Sequence, residues 1–484
     1  MGKRRQNKIG SLPFFKTKIV CTIGPASGSP KILEKLITEG MDVARLNFSH
    51  LDHETCLTYV QRIKEISKKL NRPVGLLQDL PGPKIRIGGL YKDFIYLKKG
   101  KDVVLTTKKI IGNEERLHVN IKRFPEKIEK GAWVYLSDGM LQLKVKKKDE
   151  NELLCKVEVG GELRSRKGIN FPGFDLSISA FTSEDKKHLR FWLENDLDMV
   201  CLSFVQTPED IEKVKKFAKK LGKAIFLIAK IEKRKALENI DQIISSADGI
   251  MAARGDLGVE IPIEEVPFVQ KRLIHKCNRA GKPVITATQM MESMVLNRLP
   301  TRAEATDVAN AILDGTDAVM LSEETAIGKF PTETVRMMAK ICKVTEENPG
   351  TGQRKVFSRD EKEYSIAEVI SGSAFSASRS LNLKYIITPT RTGATPRMVS
   401  KHKPDCWILA FTYDLKVVNQ LSLSYAVYPI LLKEVDKSEQ AEKAVFDYLL
   451  VNKFMKKGEK IAITSGVPFG EPGSTNSLRI LTVY

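Results

Sequence analysis

Residues 225–237 read IFLIAKIEKRKAL, and residues 247–260 read ADGIMAARGDLGVE. Each is an apolar run that stops abruptly in charge. Ile225 to Ala229 has the length and branching of a buried strand, and parallel strands covered on both faces need not alternate. Lys230 and Glu232 therefore fall at the carboxyl end of a strand, where α/β barrels place their chemistry. Asp248 to Met251 repeats the pattern and opens into a turn carrying Arg254, Gly255 and Asp256. Two carboxylates from adjacent strands, Glu232 and Asp256, could hold one divalent cation; magnesium takes few carboxylates, several waters and a substrate phosphate. A lysine beside such a metal can neutralise a migrating phosphoryl group. Taken alone, Lys230 and Glu232 also read as a structural ion pair at a strand end.

Working outward, the same punctuation recurs. Short apolar runs begin near Thr17, Val43, Val74, Met199, Ile225, Gly249, Val284 and Ala318. Helical spacing lies between most of them, as at 30–39, 53–70 and 208–221. Eight strands alternating with helices predict a (β/α)₈ TIM barrel over 14–85 and 172–347. Polar residues close the strands: Arg45, Asn47, Ser49 and His50 after the second, Asp79 after the third, Thr288 after the seventh. An arginine fork suits an anionic substrate, and Asn47 and Ser49 offer neutral oxygens to a cation or a phosphate. Thr288 on its own reads better as a helix amino cap than as a proton-transfer group.

Prolines and glycines in LPGPKIRIGG (80–89) mark a boundary. From 86 to 171 the pattern changes to short alternating runs such as DVVLTT and WVYLSD, as in a small β-barrel. That stretch holds 20 Lys and Arg against 12 Asp and Glu. It reads as an inserted basic lid, and closing lids exclude water from a site. Beyond a polar linker at 348–359, strands and helices alternate again over 360–484, a separate three-layer α/β domain. Its first strand ends in TPTRTGATPR, where Thr390, Thr392, Gly393 and Thr395 form either a phosphate nest or an ordinary hydroxyl-capped turn.

The remaining composition excludes several classes. No apolar run reaches the length of a membrane span, so no membrane role is expected. Residues 1–13 are a basic tail without a signal core. Seven scattered cysteines without a CxxC pair imply reduced thiols in a cytoplasmic setting. The net charge of +20 is compatible with nucleic-acid binding, but aromatics are only 7% and no nucleic-acid motif is present, which argues against it.

Six segments resemble, in order, the signatures of the pyruvate kinase family: KTKIVCTIGPAS, MDVARLNFSH, RKGINFPG, IAKIEK, MAARGDLGVEIP and TATQMMESM. The final third, ending in SGVPFGEPGSTN, resembles that family's carboxyl-terminal domain. The resemblance implies transfer of a phosphoryl group from phosphoenolpyruvate to ADP, giving pyruvate and ATP in glycolysis. It gives Mg²⁺ or Mn²⁺ to Glu232 and Asp256, the phosphoryl group to Lys230 and Arg45, and the carboxylate to backbone amides near Gly255 and Asp256. It places Thr288 on the proton path and Asn47, His50, Arg86 and Lys167 on the nucleotide. It also implies a phosphorylated-metabolite effector at Thr390–Thr395 and a homotetramer. The family's potassium site matches Asn47, Ser49, Asp79 and the Leu80 carbonyl. Where its common form has glutamate, this chain has Lys84, so the ammonium is expected to stand within reach of Asp79 in the ion's electrostatic role. Leu80 and Ile87 are expected to fit beside that site. A metal-dependent aldolase or lyase barrel acting on pyruvate enolate is the alternative; it has no use for the lid or for Lys167.

Overall fold

The computed structural model describes residues 12–137, 139–174, 178–348, 364–433, 438–456, 458–466 and 475–483. Residues 1–11 of the basic tail and 349–359 of the expected linker lie outside them. Eight parallel strands form a closed barrel: β1 (Lys18–Thr22), β2 (Met41–Asn47), β3 (Gly75–Leu80), β4 (Met199–Leu202), β5 (Phe226–Ile231), β6 (Gly249–Ala253), β7 (Val284–Ala287) and β8 (Ala318–Leu321). Each pairs with its sequence neighbour, and β8 closes on β1 with Lys18 opposite Ala318. The first strand starts later than its apolar run suggests. The amides of Lys16 and Thr17 donate to the Glu346 carboxylate at 2.7–2.9 Å rather than to a strand.

Successive side chains of a strand face opposite ways. Val43, Leu77, Cys201, Ile228, Met251 and Ile285 fill the barrel interior. Their neighbours Ala44, Leu76, Val200, Leu227, Ile250 and Val284 pack outward beneath the helices. Two residues beyond the inward set, the same parity brings Arg45, Asp79, Ser203 and Lys230 to the open mouth. The interior is thus a packed plug with a polar layer at one end.

Between β3 and β4 the chain leaves the barrel and returns. Gly82 sits at φ 64, where a side chain would be strained. Its amide donates to Asp185 Oδ1 at 3.1 Å, and the other oxygen of that buried carboxylate accepts from Thr182 N at 2.8 Å. One side chain thereby fastens both crossings. The inserted segment forms a six-stranded sheet and a two-stranded one around an apolar core that includes Ile87, Leu105, Leu117, Leu143 and Phe171.

The carboxyl-terminal strands are β9 (Tyr385–Pro389), β10 (Trp407–Thr412), β11 (Val427–Leu431), β12 (Lys460–Gly466) and β13 (Thr475–Thr482), in the order β11-β10-β9-β12-β13. Only β13 is antiparallel. Apolar clusters lie on two faces, one with Ala374, Val399 and Leu421, the other with Val445 and Leu449. Leu423 reaches the floor of the barrel interior, and Asn419 donates to Asp198 at 3.0 Å. Among the described residues no helix is long and apolar enough to cross a membrane.

Candidate active site

The polar layer at the mouth is one connected network. Arg45 donates to Asp79 through Nε at 2.7 Å, with Nη2 at 2.6 Å from the same carboxylate, and Nη1 donates to Thr22 Oγ1 at 2.8 Å. Lys230 Nζ lies 3.4 Å from Asp79, 2.9 Å from Glu232 and donates to Ser203 Oγ at 2.8 Å. Glu232 also accepts from the Phe204 amide at 2.6 Å. All four charged groups are nearly withdrawn from water. Burial alone would raise the Asp79 pKa, but Lys230 and Arg45 hold it below the usual range. Burial opposes the Lys230 charge, yet Asp79 and Glu232 keep it firmly protonated. Glu232 is pushed up to about 7 by burial and, against the pull of Lys230, by Asp256. That repulsion is what a divalent cation between Glu232 and Asp256 would relieve. Among the described residues no group of three His, Cys, Asp or Glu side chains is placed to hold a metal. Glu232 and Asp256 are two carboxylates close enough to feel each other's charge, and magnesium takes few carboxylates, several waters and a substrate phosphate.

On the next strands, β6 runs into the short helix Arg254–Glu260, and β7 ends at Ala287, just before Thr288. Thr288 is not a helix cap. It and Gln289 adopt φ 68 and φ 53, left-handed values uncommon outside glycine. The Gly255 amide donates to Thr288 Oγ1 at 2.7 Å. Arg254 holds this turn by donating to the carbonyls of Ala287 (3.2 Å) and Thr288 (2.7 Å), and Asp307 anchors its other end at 2.7 Å.

The mouth opens into a cleft of ≈ 420 Å³ between barrel and lid. His50, Lys84, Arg86, Arg166, Lys167 and Lys233 line it, with Asp256 and Glu323 as its carboxylates. The structure thus brings His50, Arg86 and Lys167 together from segments far apart in sequence. Asn120 fastens the lid's edge, accepting from Arg86 N at 2.8 Å and donating to the Lys84 carbonyl at 3.1 Å. Burial, then Lys84, Arg86 and Arg45, lower the His50 pKa and favour its neutral form. Lys84 is pushed down to about 8 by burial, then by Arg86 and Lys230, while Asp79 and Asp256 pull the other way.

Two expectations around Lys84 change. Asp79 is already paired with Arg45 and Lys230, and among the described residues Lys84 has no carboxylate within ion-pair distance. Ile87 is buried in the lid's apolar core rather than standing beside Asn47, Ser49 and Asp79. Leu80 is fully buried at the end of β3, and Asn47 Oδ1 accepts from Ser49 N at 3.2 Å. In the carboxyl-terminal unit, Thr390 Oγ1 accepts from Gly393 N at 2.9 Å, and Thr395 Oγ1 is buried against Thr475 Oγ1 at 2.7 Å. Gly393 sits at φ 78, where a side chain would be strained, and a Cβ there would also have to displace the Arg397 guanidinium. Of the three hydroxyls only Thr392 is exposed.

Sequence reading missed Ser203 and Arg254 as parts of the site. Ser203 carried a usable signal: it is the first polar residue after the apolar run of β4, as Lys230 is after β5. Arg254 was noted in its turn, but nothing in the sequence says that its side chain folds back onto β7.

Residues 14–335 match the family model described as "Pyruvate kinase, barrel domain", and residues 368–481 the one described as "Pyruvate kinase, alpha/beta domain". A curated pyruvate kinase of Thermococcus litoralis is 47% identical over 98% of this chain and 99% of its own. One from Thermotoga maritima is 44% identical over 96% of this chain and 99% of its own. The crystal structure of a pyruvate kinase from Cryptosporidium parvum superposes with a TM-score of 0.90 at 36% identity, covering 97% of both chains.

Proposed function

The chain belongs to the pyruvate kinase family, and we propose that its barrel mouth and lid divide the reaction between them. The enzyme transfers the phosphoryl group of phosphoenolpyruvate to ADP, giving pyruvate and ATP. Phosphoryl transfer needs positioning and charge neutralisation above all. The observation that carries the assignment of roles is Lys230 Nζ standing between Asp79 and Glu232 in a nearly dry layer. A preorganised cation in such a place stabilises developing charge without reorienting at the moment of reaction.

Glu232 and Asp256 would hold Mg²⁺ or Mn²⁺. Bound there, the metal would act as a Lewis acid on substrate oxygens. Lys230 and Arg45 face the transferring phosphoryl group. Backbone amides near Gly255 and Asp256 hold the substrate carboxylate. The enolate left by transfer is protonated on carbon, with Thr288 in the path and water as the proton source. On the lid side Arg86 and Lys167, with His50 and Asn47 from the barrel, hold the nucleotide phosphates. Lys84 supplies the positive charge that potassium provides at Asn47, Ser49, Asp79 and the Leu80 carbonyl in the common form, so potassium is not required. The unit bearing Thr390, Thr392, Gly393 and Thr395 takes a phosphorylated metabolite. The protein works in the cytoplasm as a homotetramer; seven buried cysteines without disulfides agree with a reducing compartment.

ADP-dependent formation of pyruvate, followed by coupled assay with magnesium, separates this reading from an aldolase or lyase, which would release pyruvate without nucleotide. The effector reading fails if sugar phosphates and AMP all leave the apparent substrate constant unchanged.

A further inference from the structure

His53 and His188 meet beside the turn that carries Asn47, Ser49 and His50. His53 opens the helix His53–Leu70, and His188 lies in the helix Ser183–Glu194. Their rings face each other, with His53 Nε2 2.9 Å from His188 Nδ1. His53 stacks on Phe191, with ring centres 4.0 Å and planes 6° apart. Phe48, between Asn47 and Ser49, is buried edge-on against His188 and Trp192, at 5.0 and 6.0 Å. Such aromatic pairs fix the placing of a ring as well as burying it. The Phe48 amide donates to the Asp79 carbonyl at 3.1 Å, and Gln78 Nε2 donates to the His188 carbonyl at 2.9 Å. The turn, β3 and both helices therefore converge on the histidine pair.

His188 Nε2 faces the Glu184 carboxylate at 3.8 Å, which places its hydrogen there and leaves Nδ1 to accept from His53 Nε2–H. We propose that His53 and His188 are positioning residues for the nucleotide: while their bond lasts, they hold Phe48, and through it Asn47 and His50, in place for the nucleotide phosphates. This rests on the roles given to Asn47 and His50 under the proposed function. The bond has room for one hydrogen only. A proton added to His188 Nδ1 sets two N–H donors face to face, so the pair titrates as a unit. Burial, then His53 and more weakly Lys187, hold the His188 pKa below the usual imidazole value, against Glu184 and Asp185. Asp52 and Glu54 flank His53 in sequence, while the turn and β3 offer the uncharged Phe48 and Gln78. His50 lines the cleft instead, and Asp79 is turned to Arg45 and Lys230. The pair is thus bonded at neutral pH and released in acid.

The probe is ADP, titrated into the magnesium-loaded enzyme at about pH 7.5 and about pH 5, on either side of the usual imidazole range. His188→Asn keeps an acceptor at the place of Nδ1 and does not titrate. At the higher pH its ADP affinity should match that of the unmodified protein within about twofold; at the lower, the unmodified protein should bind about fivefold more weakly than the variant, the size of one net hydrogen bond. Titration of ADP itself and of His50 is common to both proteins and cancels in that ratio. His188→Leu removes the acceptor. At neutral pH its ADP KM should rise about fivefold, with kcat and the phosphoenolpyruvate KM within about twofold, a split that a purely structural histidine would not give. Circular dichroism checks the fold at both pH values. Should the leucine variant fail to fold, His53→Phe, which keeps a ring on Phe191, takes its place. A ratio that does not change with pH, or an unaltered ADP KM in the folded variant without the bond, overturns the proposal. Failure of the underlying reading looks different: His50→Ala would then leave the ADP KM unchanged, and the proposal falls with it.

Discussion

Lys230 stands in the polar layer at the barrel mouth and Lys167 lines the cleft above the barrel where nucleotide phosphates are expected, and their surroundings are opposite. The Lys230 side chain is 12% exposed and has three partners, Ser203, Asp79 and Glu232. Lys167 is exposed on the lid's edge beside Arg86 and Arg166, and among the described residues no carboxylate lies within ion-pair distance of its ammonium. Water screens the second charge and scarcely reaches the first, and electrostatic energies differ severalfold between the two settings. Under the proposed roles, charges at the barrel mouth serve a transition state. Under the same proposal those on the lid gather and hold an anion, an effect that falls with ionic strength.

That contrast is broken most directly at Lys230. Lys230→Met keeps the stem and removes the charge. Phosphoryl transfer should fall by at least ~10³, the scale of a lost transition-state cation, while magnesium affinity, read by titration, should change little because Glu232 and Asp256 remain. Near-normal turnover in a folded variant would put the chemistry elsewhere.

At Lys167 the expected effect is smaller and of another kind. Lys167→Met should raise the ADP KM about tenfold and leave kcat within about twofold, the signature of lost ground-state binding. The dependence of kcat/KM for ADP on salt should flatten, since rim charges act mainly through screened attraction. A loss in kcat comparable to that of Lys230→Met would erase the distinction between mouth and lid.

The barrel was legible because its signal is local: each strand is an apolar run cut off by charge, and helical spacing fills the gaps. Lys230, Glu232 and Asp256 sit where such runs end, so their meeting followed from the fold class alone. Contacts made by side chains that turn sideways or backward left no such trace. The grip of Arg254 on β7 and the fastening of both lid crossings by Asp185 are long-range facts without a pattern in sequence. Ile87 shows the reverse failure. It stands seven residues after Leu80, and its meaning was borrowed from that neighbour, but the chain leaves the barrel in between and Ile87 belongs to the lid core. Lys84 lies on the same crossing and remains in the cleft.

Lys84 joins the two regions, and the smallest expected effect belongs to it. Burial, then Arg86 and Lys230, lower it to about 8 from 10.5. Its ammonium is therefore present at neutral pH in the free enzyme and lost as pH rises through about 8. For stability the sign follows from proton counting: between about 8 and 10.5 the unfolded chain binds more protons than the folded one, so this residue makes stability rise with pH across that window. For function, kcat/KM reports groups of the free enzyme. Below about 8 a potassium ion would stand near a second cation, at a cost of about 1 kcal/mol in water and about 4 at intermediate dielectric for a 4 Å separation. Potassium should then give no advantage over a bulky organic cation at matched ionic strength. Near pH 9, with Lys84 neutral, kcat/KM for phosphoenolpyruvate should drop two- to threefold without potassium, and potassium should restore it. Lys84→Met should respond to potassium at both pH values and should lose the rise in stability. Equal potassium responses of the unmodified enzyme at pH 7 and pH 9 would remove Lys84 from the ion's role and return it to the lid as one more screened charge.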